Sequence, residues 1–123
     1  MSYTLEIDKL SEVVNVKATC ALNNAIRKEI LNDVAEHLKS TRYTKVIIDL
    51  TDAAFNSAEP IEGSVELAMY MSRIGITPEA RLALIYADAE GHRKTFEKIT
   101  QSVGYRLCYF KNVEEAYLWL EHA

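Results

Sequence analysis

Chemistry in a small chain is most readily sought where carboxylates and hydroxyls gather at the ends of apolar runs, and here two runs end that way. Lys45-Val46-Ile47-Ile48 stops at Asp49-Leu50-Thr51-Asp52, and Arg81-Leu82-Ala83-Leu84-Ile85-Tyr86-Ala87 stops at Asp88. Converging there, Asp49, Asp52 and Asp88 would offer the hard oxygen donors that suit Mg2+. The plainer alternative makes Asp52 a turn former and Asp88 a helix cap. Neither G-x-G-x-x-G nor G-x-x-x-x-G-K occurs among the four Gly, which excludes nucleotide binding by those two devices. Asp88 and His92 stand at i and i+4, as an acid–base pair on one helix turn would, with Ser57 imaginable as a nucleophile. No G-x-S-x-G elbow or oxyanion donor set accompanies them. The reading is therefore no enzyme, no catalytic residue, no metal and no cofactor.

The elements that would position these residues are legible from periodicity. Tyr3 to Ile7 and Val13 to Thr19 alternate around Asp8-Lys9-Leu10-Ser11, which predicts a hairpin. Ile26, Ile30, Leu31, Val34 and Leu38 recur at helical spacing behind Asn23 and Asn24, either of which can cap. Three successive β-branched residues in Val46-Ile47-Ile48 predict a strand covered on both faces. Asn56-Ser57-Ala58-Glu59-Pro60 introduces a second helix, and Gly75 followed by Ile76 and Pro78 ends it. Arg81 to Ala87 is a further strand, Gly91 to Val103 a helix with Phe96, Ile99 and Val103 on one stripe, and Gly104 a repeated cap. Tyr105 to Phe110 is the last strand, and Asn112-Val113-Glu114-Glu115 is a capping box before the last helix. Ligands of open α/β sheets gather beyond the carboxyl ends of the strands, which places Asp49, Thr51 and Asp52 where function is expected.

Length and composition bound the answer. A chain of 123 residues, 49% hydrophobic, matches a single α/β domain over residues 1–123. The net charge of −4 argues against a nucleic-acid groove. The opening Met-Ser-Tyr-Thr-Leu-Glu lacks the basic and long apolar sections of a signal peptide, and no run suits a membrane span, so a cytoplasmic location is expected. Cys20 and Cys108 have no Cys or His at metal-like spacing and read as small core residues. His37 and His122 fall near helix carboxyl ends, where an imidazolium suits the dipole. Arg93, Lys94 and Lys98 form one basic face, expected to pair with Glu90 and Glu97.

The element order, with Val46-Ile47-Ile48-Asp49-Leu50-Thr51 in the middle and Val113-Glu114-Glu115-Ala116-Tyr117-Leu118-Trp119-Leu120 at the end, resembles the STAS-like, or SpoIIAA-like, domains related to anti-sigma factor antagonists. The resemblance covers nearly the whole chain. It implies a mixed, mainly parallel sheet with an amino-terminal hairpin and about four helices, and a bacterial regulatory or interaction module acting through protein contacts. In the regulatory members an Asp-Ser pair follows the central strand and its Ser is phosphorylated; here Asn56-Ser57 occupies about that place. The acidic neighbour has become Asn, the spacing from Asp49-Leu50 is about one residue shorter, and Ala58-Glu59-Pro60 replaces the usual Ser-Gly-Leu. A phosphate on Ser57 would meet helix N–H groups, whereas Glu59 and Glu62 would oppose it, and the simple cap is the favoured role for Ser57.

The segment from Pro60 to Ile74 carries the widest apolar surface. Ile61, Val65, Ala68, Met69 and Ser72 make one stripe, which Leu67, Tyr70, Met71 and Ile74 broaden. Such width signals a contact surface or deep burial. The expected interaction or ligand surface is Asp49, Thr51, Asp52, Phe55, Asn56, Met69, Tyr70 and Met71, facing another protein or a second copy in a homodimer. The competing expectation, to which the Sec14-fold cousin of the STAS-like domains also leads, is a carrier or sensor of a small apolar ligand or lipid, with Phe55, Met69, Tyr70 and Tyr86 lining the pocket.

Overall fold

A computed structural model describes residues 3–53, 61–86 and 92–122, with the side chains of 61, 62, 92–95 and 122 outside that set. The hairpin forms as its alternation predicts. β1 (Tyr3–Asp8) and β2 (Val13–Ala18) pair antiparallel, with Asp8 opposite Val13. Asp8 Oδ1 accepts the Ser11 N–H at 3.2 Å in the turn, where Glu12 takes a positive φ of 58°. α1 (Asn24–Thr41) starts at Asn23, whose Oδ1 accepts the Ile26 N–H at 2.9 Å. A cap of this kind contributes about 1 kcal/mol.

The chain then alternates strand and helix: β3 (Lys45–Asp49), α2 (Ile61–Arg73), β4 (Arg81–Ile85), α3 (His92–Ser102), β5 (Arg106–Phe110) and α4 (Val113–His122). The strands lie in the order β1-β2-β3-β4-β5, with every pair but the first parallel. Val14, Val46, Leu82 and Leu107 stand in one row across four strands. The apolar run of β3 follows from its central place. Val46 and Ile48 face the larger core with Ile30, Val34, Leu67 and Met71 from α1 and α2, while Ile47 joins Ala116 and Leu120 of α4 on the other side. Helices therefore cover both faces, and only a strand apolar on both sides suits that position.

α2 and α3 end in the same way. Gly75 (φ 92°) and Gly104 (φ 98°) take the left-handed conformation that glycine adopts without steric cost. Ile76 N–H returns to Met71 O at 3.0 Å, and Tyr105 N–H to Thr100 O at 3.0 Å, the six-to-one bond of a Schellman cap. The Tyr105 hydroxyl ties the two ends together. It donates to Ile76 O at 2.9 Å and lies 2.9 Å from Ser72 Oγ.

Several expectations are corrected. β4 ends at Ile85 rather than Ala87, and β5 begins at Arg106 because Tyr105 is still engaged in the cap. Val103 lies past the end of α3 and is 58% exposed. α3 packs Phe96 against the larger core and buries Thr100, whose hydroxyl donates to the Phe96 and Glu97 carbonyls, while Ile99 is half-buried. Glu97 Oε2 accepts the Tyr109 N–H at 2.8 Å, and Gln101 Nε2 donates to Leu107 O at 2.8 Å; the expected pairing with Arg93 and Lys94 lies outside the described side chains. α3 thereby satisfies backbone groups along the β5 edge, which makes that edge a poor template for another strand. Cys20 and Cys108 are half-buried free thiols rather than fully buried ones, and Cys20 packs against the larger core. Burial, and then the charge of Glu97, pushes the Cys108 thiol up from its ordinary value.

Candidate functional site

At the carboxyl end of the sheet, the parallel register sets Lys17 of β2 beside Asp49 of β3. Asp49 Oδ1 accepts the Thr51 N–H at 3.0 Å and the Thr51 hydroxyl at 2.6 Å, an Asx turn that bends the chain as it leaves β3. Asp52 forms an ion pair with Lys17 at 3.4 Å, both side chains more than half exposed. Pairs so well solvated contribute about 0–1 kcal/mol. Asp49, Thr51 and Asp52 thus stand together where ligands of α/β sheets gather, and each is engaged in turn or surface bonding. Among the described residues no group of three or more His, Cys, Asp and Glu side chains stands close enough to hold a metal ion. Phe55, Asn56, Ser57, Asp88 and the His92 side chain lie outside the described residues.

The expected stripe on α2 turns out to be rotated. Leu67 (5%), Ala68 (4%) and Met71 (0%) point into the core, whereas Val65 (42%) and Met69 (62%) face outward. The physical reason is packing volume: Leu67, Met71 and Ile74 recur at i, i+4 and i+7, and burying that set removes more apolar surface than burying Val65, Met69 and Ser72. Met71 is therefore a core residue and cannot meet a partner at the surface. Met69, two residues earlier and on the opposite side of the helix, can.

Tyr70 takes a third role at the seam between α1 and α2. Its hydroxyl accepts from Asn32 Nδ2 at 2.5 Å, and Lys28 Nζ lies 5.3 Å from the ring centroid, within cation–π range. Lys28 also pairs with Glu66, which lowers the Glu66 carboxyl below its ordinary value. Near the start of the seam Asn24 Nδ2 donates to Gly63 O at 3.4 Å, and a Cβ on Gly63 would come within 3.1 Å of that amide. Gly63 thus permits the close approach of the two helices.

Between the sheet and α1–α3 lies a cavity of about 60 Å³. Its walls include Ile30 and Leu31 of α1, Ile48 of β3, Met71 of α2 and Leu84 of β4. Phe55, Met69, Tyr70 and Tyr86 were the expected pocket lining. Met69 points to solvent and Tyr70 to the α1 seam, and Tyr86 packs against the core; the residues just named form the walls instead. No local signal in the sequence could have found them, because the lining comes from six elements far apart in the chain.

Among the described residues no helix is long and apolar enough to cross a membrane. No model of a known protein family matches the sequence, and no curated protein matches it either. Solved structures do match in fold. One is the anti-sigma factor antagonist SpoIIAA in its unphosphorylated form, with a TM-score of 0.55 and 15% identity over 98% of this chain and 99% of that one. Another is the protein TM1081, determined by NMR, with a TM-score of 0.56 and 15% identity over 97% of this chain and 88% of that one. The five-stranded mixed sheet with its antiparallel hairpin and four helices is thus the fold of SpoIIAA, as the resemblance in sequence implied.

Proposed function

We propose that this chain is a non-enzymatic regulatory module that works by binding another protein, with the outward side of α2 and the turn Asp49–Asp52 as its contact region. The observation that carries the reading is the exposure of Val65 and Met69 one turn apart on α2, beside a carboxyl-end surface whose polar groups are arranged for solvent rather than for catalysis. Methionine adapts its shape cheaply, so an exposed Met beside an apolar neighbour suits recognition of a partner's apolar side chains. The likeness in fold to an anti-sigma factor antagonist supports the same class of role. A second copy of the chain is one such partner.

Val65→Asp with Met69→Asp tests the proposal, since both positions are solvated and the fold has no need of them. The double variant should keep the wild-type melting temperature within a few degrees, and should lose self-association in sedimentation velocity or the partner recovered by affinity capture. Unchanged sedimentation and capture profiles would remove α2 as the contact surface.

A further inference from the structure

We propose that the cavity beneath the carboxyl end of the sheet is a binding site for an unbranched alkyl chain. The wall chemistry selects an apolar guest. Arg27 and Tyr109 bring a guanidinium and a hydroxyl to the lining, but the other walls, Ile30, Leu31, Ile48, Met71 and Leu84 among them, present only hydrocarbon and a thioether, so water deep inside would forgo hydrogen bonds. Among the described residues the one buried side-chain nitrogen or oxygen without a partner is Arg81 Nε. Its residue belongs to the opposite side of the sheet, where Arg81 Nη1 donates to Leu120 O of α4 at 3.0 Å.

Volume then selects the shape. A cavity of about 150 Å³ accommodates benzene, and this one, at about 60 Å³, is too small to enclose a ring, whereas an alkyl chain can bury its end there and extend outward. The entrance follows from exposure. Most lining residues are buried, while Arg27 of α1, Phe96 of α3 and Tyr109 of β5 are only half-buried, so the cavity meets the surface between these three elements. A chain entering there buries its tail against Met71, which repacks easily, and leaves its polar end in water.

The probe is 1-hexanol, with benzene as the comparison, titrated into methyl-labelled full-length protein and read by carbon–proton correlation NMR. Hexanol should shift the methyls of Ile48, Met71 and Leu84 saturably while leaving those of Val65 and Leu118 in place, and benzene should leave all of them unmoved. Leu31→Phe, which fills the cavity, should weaken the hexanol response at least tenfold. A wild-type protein whose lining methyls show no saturable shift with hexanol overturns the site. Benzene acting at lower concentration than hexanol overturns the narrow shape. Should Leu31→Phe fail to fold, the two wild-type titrations decide the matter alone.

Discussion

The two ends of the sheet are built on different principles. At the amino end of the parallel strands, Gly75 and Gly104 turn α2 and α3 back towards β4 and β5, and the buried Tyr105 hydroxyl joins the two turns. Tyr117 of α4 adds a bond from its hydroxyl to Asp8 at 3.0 Å, closing the hairpin turn against the last helix. At the carboxyl end, Lys17, Asp49, Thr51 and Asp52 bond through water-facing side chains, and the cavity reaches the surface on that half of the molecule. One end is fastened by buried polar bonds whose loss leaves groups unsatisfied; the other is held by exposed bonds that water can replace. The buried bonds thus lie at the end opposite the proposed contact turn Asp49–Asp52.

Substitutions can break that contrast, beginning with the core that separates the two ends. Met71→Ala should lower stability by about 2–5 kcal/mol, because it deletes a fully buried side chain and enlarges a cavity already there. Denaturant titration measures it, and a loss under about 1 kcal/mol would place Met71 outside the core. Next, Tyr105→Phe at the fastened end keeps the ring and removes the hydroxyl, leaving Ile76 O without its donor, at a cost of about 1–3 kcal/mol. Lys17→Ala at the open end should cost no more than about 1 kcal/mol, and less still in 1 M salt. Equal losses from these last two variants would erase the distinction between the ends.

The smallest effect is one of pH. The Asp8 carboxyl is held below its ordinary value, first by the Ser11 N–H and then by the Tyr117 hydroxyl. A depressed carboxylate adds stability that is present above its unfolded value and lost as pH falls through the folded one. Asp8→Asn should therefore flatten the decline in stability as pH falls below about 4 relative to wild type. Parallel curves for the two proteins would show that the hairpin turn does not use that charge.

How far the sequence could be read depends on where each signal originates. Local devices were plain: Asn23 as a cap, the glycines after α2 and α3, and the double-sided apolar run of β3 each follow from a few adjacent residues. The rotation of α2 was not, since both Val65-Met69-Ser72 and Leu67-Met71-Ile74 satisfy helical spacing. Only the surfaces waiting on the sheet and on α1 could choose between them. The candidate site was half legible for the same reason. Asp49, Thr51 and Asp52 were placed correctly by the end of their strand, but the cavity belongs to residues from six elements that no local pattern connects.

What the amino-acid order determines by itself is therefore the set of elements, their caps and the order in which they alternate, because hydrogen bonding and backbone sterics act over a few residues. The tertiary structure decides which helix faces turn inward, which side chains stay at the surface, and where packing leaves a void. Those outcomes are set by competition for buried area between segments far apart in the chain, where two faces of similar hydrophobicity differ only in the volume they find to fill.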